Sequence, residues 1–291
     1  MSASRMRGLL WGLFGLAAVV ILWEAYKAAA PPEGLVVGDL TVFPRTTDIA
    51  MPHTWDMVAR FVDPVTRAAG ADPLWFAVLK AAGLSLGIAA IGWAIGVTLG
   101  MALALLMQRW AIAESAVLPW VVLSQTVPLI AIAPLVRRWG SSIEIGSFEW
   151  ENWMSVALIA SYLAFFPVAV SALRGLKSAP ASDVDLFRAY AAGWWTTLFR
   201  LRLPSSVPYL LPALRLAAAN AVIGTVVAEV SIGLGGGIGR MIIEFAATAS
   251  GDPAKTWAPI FGAVFIGLVS AGMVSLIGLG LRRFRRGEVP A

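Results

Sequence analysis

The residue whose type and position most clearly indicate a chemical role is an acid inside an apolar stretch. Glu229 lies in the run that ends near Ile232, and an acid at the centre of a membrane-spanning helix costs about 2.5–3.5 kcal/mol on insertion scales. Glu229 therefore needs a polar partner or water. Two interpretations stay open: it is a pathway or gate residue near the outer end of its helix, or it packs two copies of the chain together.

The chain offers little else for catalysis. It contains no cysteine, and His53 is its single histidine. Thiol nucleophiles, disulfides, cysteine-ligated metals, histidine metal clusters and Ser/His/Asp triads are therefore excluded. We expect no catalytic residue, no metal site and no cofactor bound by this chain itself.

Three further polar residues lie in apolar stretches. Gln125, Thr126 and Asn220 could line a polar path, or they could make hydrogen bonds between helices that average about 0.6 kcal/mol. Pro128 and Pro134 remove hydrogen bonds from the same stretch as Gln125, and broken helices in transporters tend to line cavities. We therefore predict that Gln125, Thr126, Asn220 and Glu229 belong to a translocation pathway.

A glycine cluster raises the question of nucleotide binding. It lacks the lysine and the Ser/Thr of a P-loop and follows an apolar run instead of a strand, so phosphate binding is not expected. A flexible external turn is the better prediction, and any ATP would be bound by another chain. The cluster consists of Gly233, Gly235, Gly236, Gly237 and Gly239.

The elements that hold these residues must be membrane helices. Of the 291 residues, 59% are hydrophobic and 13% are charged, and the mean hydropathy is +0.79; this excludes an ordinary soluble domain. A helix needs about 20 apolar residues to cross a bilayer. The composition thus predicts an all-α integral membrane protein with about six spans: Leu9–Tyr26, Ala82–Met107, Ala116–Val136, Trp153–Leu173, Leu214–Ile232 and Trp257–Leu281.

Charge sets the orientation. A net charge of +5 can indicate nucleic acid, an anionic surface or the positive-inside bias of a membrane protein, and the hydropathy favours the last. With both termini inside, short flanks place twelve Lys and Arg residues in the cytoplasm and four outside. The outside group includes Arg137 and Arg138, which fit poorly. We expect no nucleic-acid partner.

The most informative loop lies between the fourth and fifth spans. Its pattern predicts two short amphipathic helices, the first starting at Ser182 and Asp183. A turn at Ala192 and Gly193 separates them, and Pro204 is expected to end the second. Charged helices at a membrane surface have two explanations, arginines that reach the headgroups or a docking surface for a cytoplasmic subunit.

The spacing of this loop resembles a known family. From Asp185 to Pro204 it is similar to the EAA loop of the membrane subunits of binding-protein-dependent ABC importers, although the Ala pair and the Gly of that pattern are replaced. Gly193, two residues later, could supply the same turn. The matching positions are Asp185 for Glu, Leu186 and Phe187 for the two Ala, Ala191 for Gly, Leu201 for Ile, and Leu203 with Pro204 for the closing Leu-Pro.

The resemblance implies a type I importer permease. In this family the loop forms coupling helices that bind the ATPase subunit, so the resemblance assigns an ATPase-coupling role here to Asp185, Arg188, Ala191, Gly193, Leu203 and Pro204. It also implies an ATPase dimer that binds ATP and Mg, an extracytoplasmic binding protein, a second permease copy that is expected to make a homodimer, and a place in the bacterial inner membrane.

Two other segments narrow the resemblance. Ser124–Pro128 and Val226–Glu229 look like the nitrate, sulfonate, taurine and pyrimidine-precursor branch, nearest to permeases for pyrimidine or flavin precursors. The competing hypothesis is an ion-coupled secondary transporter, which predicts inverted repeats and several buried acids. An intramembrane enzyme is the least supported, because no catalytic groups cluster.

These inferences give a domain organisation. Residues 1–30 form an N-terminal transmembrane anchor, with a signal peptide cleaved near Ala28–Ala30 as the alternative. Residues 31–81 form an external loop, and Trp55, Val58 and Phe61 at helical spacing predict an interfacial helix that begins near Thr54. Residues 82–281 form the permease core of five spans, including a cytoplasmic coupling loop at 174–213, and residues 282–291 form a cytoplasmic tail.

Overall fold

The chain is mostly helical. The computed structural model describes residues 3–37 and 40–280, so the predicted tail 282–291 with its four arginines lies outside the described residues. Two short antiparallel ribbons join β1 (Leu35–Val37) to β2 (Leu40–Phe43) and β3 (Glu144–Ile145) to β4 (Phe148–Glu149). The helices are α1 (Ala3–Ala29), α2 (Thr54–Ala59), α3 (Leu74–Arg109), α4 (Ala111–Ser124), α5 (Leu129–Gly140), α6 (Asn152–Leu176), α7 (Ala181–Ala189), α8 (Trp194–Thr197), α9 (Leu203–Ile232), α10 (Ile238–Ala246) and α11 (Ala258–Gly280).

Five helical segments within the described residues are long and apolar enough to cross a membrane, and a bent pair of shorter helices makes a sixth if it is counted as one span. This agrees with the predicted number. The bent pair is α4 and α5, whose axes differ by 102°. The predicted span Ala116–Val136 is therefore not one straight helix. The helix is interrupted before Pro128, because the residue that precedes a proline is disfavoured in the helical region of backbone conformation. By contrast, α5 continues through Pro134.

The prediction that Pro204 ends a helix is wrong. Pro204 lies in the first turn of α9, where its missing N–H would lack an intrahelical partner anyway. The turn before it, Leu198–Arg202, is π-helical, and a wider turn of this kind relieves the clash of a proline ring with the preceding carbonyls. As a result α8, the π turn and α9 form one segment, Trp194–Ile232.

By contacts the chain divides into two compact units, Met1–Leu79 with Ile242–Phe261 and Lys80–Met241 with Gly262–Ala291. In the first unit, α2 begins at Thr54, as the spacing predicts. Glu24 of α1 holds it there by accepting hydrogen bonds from the Thr54 backbone N–H and hydroxyl, both at 2.8 Å. His53 Nδ1 also lies 2.7 Å from the Glu24 carboxyl.

The second unit is built around α6 and α9, which carry most of its fully buried residues. The helix α3 packs on α6 through a stripe of three glycines at four-residue spacing. A Cβ at Gly92, Gly96 or Gly100 would lie within 2.5–2.7 Å of atoms of α6. The small-residue spacing therefore marks a close helix contact, as expected for packing in membranes.

Candidate coupling segment and translocation pathway

The connection between α6 and α9 begins with the exposed helix α7. Pro180 precedes it, and Asp183 lies in its first turn, where an acid interacts favourably with the helix dipole. The Asp185 carboxyl accepts a hydrogen bond from Arg188 at 3.2 Å. Because both side chains are largely exposed, this pair adds little stability, and both groups are accessible to a partner.

The turn after α7 is made by Ala191. Its φ of +49° makes it the one described non-glycine residue with positive φ, and Ala191 occupies the glycine position of the family pattern. The Ala192 N–H closes the turn by donating to the Phe187 carbonyl at 2.9 Å. Gly193 instead has φ −64° and is the N-cap of α8. The predicted turn at Ala192 and Gly193, and the idea that Gly193 replaces the family glycine, are therefore wrong.

Aromatic side chains follow the turn. Trp195 is 65% exposed and stacks on Phe199 with ring centroids 5.9 Å apart. The preceding Trp194 lies under the Arg109 guanidinium at 5.3 Å, which fixes the start of α8. Tyr190, at the end of α7, is 80% exposed. The coupling segment, defined as residues 181–202, thus presents apolar rings beside exposed charges, which is the composition of a protein interface.

The polar residues predicted for the pathway have separate partners. Gln125 and Thr126 lie in the break between α4 and α5 and bond locally, Gln125 to Ser124 and Thr126 to the Leu123 carbonyl. Asn220 donates from α9 to the Leu163 carbonyl of α6 at 3.2 Å. These contacts place two of the residues at a broken helix and the third between two spans.

Glu229 is fully buried at 0% exposure. Its Oε1 accepts a hydrogen bond from the Ser85 hydroxyl of α3 at 2.7 Å, and its Oε2 accepts one from the Gly239 N–H at 2.7 Å. Ser85 Oγ in turn accepts the Ile238 N–H at 2.9 Å. The acid therefore has polar partners inside the protein, and their hydrogen bonds offset the free-energy cost of burying the carboxyl group.

The glycine cluster forms a turn between α9 and α10, with Gly233, Gly235 and Gly236 exposed and Gly237 and Gly239 buried. Gly233 has φ +75° and follows the last residue of α9, as is common at helix C-termini. A Cβ at Gly237 would lie 2.3 Å from Glu229 Oε1, and a Cβ at Gly239 would lie 2.4 Å from the Val226 carbonyl. These two glycines allow the backbone to reach the acid.

Sequence reasoning missed two residues around this site. Ser85 gives no signal, because a serine in an apolar run is common and its partner lies 144 positions away. Arg137, which fits poorly on the predicted outer side, donates to the Ile232 carbonyl at 2.8 Å and to Asn152 at 3.2 Å. It is thus a cation at the C-terminus of α9, a favourable position for positive charge. In the part of the chain that the structure describes, no three His, Asp or Glu side chains could hold a metal ion.

Several apolar spans together with an exposed aromatic and charged connection define a multi-pass membrane protein with a candidate docking surface for a partner. The comparison with known proteins names the family. The family model for the binding-protein-dependent transport system inner membrane component matches residues 96–285, and the chain belongs to this family. It is a multi-pass inner-membrane permease subunit of an ABC importer for small solutes and a transport component, not an enzyme.

Relatives support this assignment over most of the chain. The formylaminopyrimidine transport permease protein ThiX of Halalkalibacterium halodurans is 36% identical over 255 residues, 86% of each chain. The putative aliphatic sulfonates transport permease protein SsuC of Bacillus subtilis is 28% identical over 69% of each chain. The nitrate import permease protein NrtB of Leptolyngbya laminosa is 24% identical over 78% of this chain and 74% of its own. The predicted branch is confirmed.

A solved structure supports the fold. A crystal structure of an amino acid ABC transporter with histidines matches with a TM-score of 0.55 at 15% identity, covering 72% of this chain and 94% of that one. The predicted type I permease fold is therefore confirmed. Membership of the family also implies, in general terms, an ATPase and a binding protein as partners.

Proposed function

We propose that this permease imports a small pyrimidine precursor, with formylaminopyrimidine as the first candidate. The observation that carries the proposal is the ThiX relative, which matches 86% of each chain at 36% identity. The sulfonate and nitrate relatives are 28% and 24% identical. Flavin precursors, sulfonates, taurine and nitrate are the alternative substrates.

Reconstitution with the ATPase and the binding protein tests the substrate. Proteoliposomes should accumulate labelled formylaminopyrimidine only with ATP and the binding protein, and riboflavin, taurine and nitrate should compete weakly. Uptake of one of these competitors instead would reassign the substrate. Accumulation driven by an ion gradient without ATP would support the secondary transporter.

The coupling segment is the proposed ATPase-docking surface. Its exposed rings at Tyr190, Trp195 and Phe199 would contact the ATPase, and Asp185 with Arg188 would add charge recognition. Ala191 forms the turn, Gly193 is the N-cap of α8, and Leu203 with Pro204 begins α9 directly after the segment. ATP and Mg would be bound by the ATPase dimer.

Truncation of the rings tests this surface. Tyr190→Ala and Trp195→Ala should reduce ATPase co-purification about tenfold or more each, because exposed aromatic anchors dominate interfaces. Leu268→Ala is the matched control, since Leu268 is a similarly exposed apolar residue on the spanning helix α11. Retention of the ATPase by both aromatic variants would contradict the assignment.

Two copies of the chain are proposed to enclose the pathway, with Gln125, Thr126 and Asn220 among its polar lining and the buried Glu229 behind this lining, near the outer end of α9. Asn220→Val separates the possible roles of Asn220. Loss of one hydrogen bond between helices costs about 0.6 kcal/mol, so unchanged uptake would assign Asn220 to packing, whereas a severalfold loss of uptake with normal assembly supports the pathway. Native mass spectrometry of the assembled importer would test the homodimer.

A further inference from the structure

At the C-terminal end of α9, the backbone carbonyl and the side chain of Glu229 both accept hydrogen bonds from the residues that follow. The Glu229 carbonyl accepts the Gly233 N–H at 2.9 Å and the Leu234 N–H at 3.3 Å, which ends α9. The carboxyl of the same residue accepts the Gly239 N–H in the first turn of α10. One glutamate thus ends one helix and holds the start of the next, and the turn between them spans only residues 233–237.

A second helix takes part in this contact. Ser85 of α3 donates to the Glu229 carboxyl and accepts the Ile238 N–H, so its hydroxyl lies between α9 and α10. Ser85 and Glu229 are both 0% exposed. Two backbone N–H groups of α10 that have no intrahelical partner are therefore bound by buried side chains from two different helices.

The turn packs directly against the Glu229 side chain and leaves no space for another side chain at Gly237 or Gly239. Gly237 and Gly239 approach the Glu229 side chain so closely that a Cβ at either position would lie within 2.3–2.7 Å of it. Glycine is the one residue that permits such an approach. We call this arrangement of Ser85, Glu229, Gly237, Ile238 and Gly239 the α10 clamp.

We propose that Glu229 and Ser85 are positioning residues that join α3, α9 and the first turn of α10 into one body during transport. Glu229 acts through α10 and does not contact the solute. Since α9 continues from the coupling segment and is about 45 Å long, movement at the ATPase end reaches α10 through the clamp. This last step rests on the proposed docking role of the coupling segment; the clamp itself does not.

Hydrogen exchange of the Ile238 and Gly239 amides, measured on the full chain in complex with its ATPase, tests the clamp. Glu229→Gln and Ser85→Ala should each speed this exchange about tenfold or more, because each variant removes an acceptor or its partner from the buried contact. Ser275→Ala is the matched control, since the Ser275 hydroxyl bonds the Ala271 carbonyl of its own helix, and it should change nothing at α10. Unchanged exchange in both clamp variants would overturn the proposal.

ATP-driven uptake and ATP hydrolysis in proteoliposomes separate positioning from solute contact. Both clamp variants should lose uptake at least about fivefold with little change in KM or in ATP hydrolysis, and the double variant should be no worse than the more severe single variant, because both changes act on one contact. Loss in Glu229→Gln alone, with a raised KM, would overturn the positioning role. Failure of the unmodified chain to take up formylaminopyrimidine would contradict the proposed substrate, while the exchange result would still decide the clamp.

A disulfide tests whether the body stays closed even if the clamp variants do not insert. The chain has no native cysteine, so a Ser85→Cys, Ile238→Cys double variant contains a single pair. The 2.9 Å contact between Ser85 Oγ and the Ile238 N–H limits the Cα separation to about 7 Å or less, close to the range that disulfides bridge. The reduced double variant lacks the Ser85 hydroxyl and should lose uptake as Ser85→Ala does, and oxidation should leave that uptake unchanged or raise it. Loss of uptake on oxidation, restored by reduction, would show that α10 leaves α3 in each cycle and would overturn the proposal.

Discussion

The turn at Ala191 should be more stable in the Ala191→Gly variant. The Ala191 φ of +49° lies in the left-handed region, which costs an L-residue with a Cβ roughly 1–2 kcal/mol. Glycine removes that cost but adds about 0.4–1 kcal/mol of unfolded-chain entropy. The expected net gain for Ala191→Gly is therefore about 0.5–1 kcal/mol of local stability, which corresponds to roughly two- to fivefold less opening of the turn. Ala191→Val should have the opposite effect, because a β-branched residue is poorly tolerated there.

The Ala192 amide reports on this turn, since it donates to the Phe187 carbonyl. Its hydrogen exchange should slow two- to fivefold in Ala191→Gly and quicken severalfold in Ala191→Val, and ATPase co-purification should follow the same order. Gly193→Ala is the matched control: its φ is −64° and its Cβ would meet no atom within 4 Å, so exchange should be nearly unchanged. A larger effect at Gly193 than at Ala191 would refute the assignment of the turn.

Three other predictions concern stability. In thermal melts, Gly96→Ala should destabilise by about 1–3 kcal/mol, because its Cβ would lie 2.7 Å from an alanine Cβ of α6, whereas Gly87→Ala, whose Cβ meets no atom within 4 Å, should be neutral or slightly stabilising. Arg137→Gln should lower the free energy of unfolding by about 1 kcal/mol through loss of its hydrogen bond to the last carbonyl of α9. Arg138→Gln should lower it by less, and equal losses would contradict the capping role of Arg137. The hydrogen bond from Lys27 lowers the pKa of Asp48 below its ordinary 3.8, so the unfolded chain binds this proton first as pH falls, and the stabilisation is present above about pH 4 and lost below it. Asp48→Asn should therefore lower the melting temperature at pH 7, and the difference should shrink below about pH 4; a difference independent of pH would exclude this linkage.

Much of the fold could be predicted, because apolar length is a strong signal. Each predicted span overlaps one of the apolar helical segments or the bent pair, and the end of the last predicted span, Leu281, lies outside the described residues. The helix at Thr54 was also predictable from the spacing of apolar residues. The short ribbons were not, since two- to four-residue strands carry too little pattern to be recognised.

The polar partners could not be predicted from the sequence. Glu229 was recognisable as a costly residue, but its partners are a serine 144 positions away and two backbone N–H groups. Neither kind of group has a distinctive sequence signal. The glycines near Glu229 were recognisable in the sequence. However, a glycine in a flexible turn and a glycine in a close contact look identical in a sequence, and only the neighbouring atoms distinguish them.

The wrong prediction at Pro204 has a more general cause. A single proline in this position predicts the end of a helix, whereas Pro204, Pro208 and Pro212 all lie within α9. Their four-residue spacing places the missing N–H groups on one face, so the other faces of the helix keep their hydrogen bonds. A π turn followed by a continuous helix keeps most backbone N–H and C=O groups hydrogen-bonded, whereas a break would leave several of them without partners. Prolines at four-residue spacing before an apolar run consequently favour one long helix, and here that helix connects the coupling segment directly to Glu229.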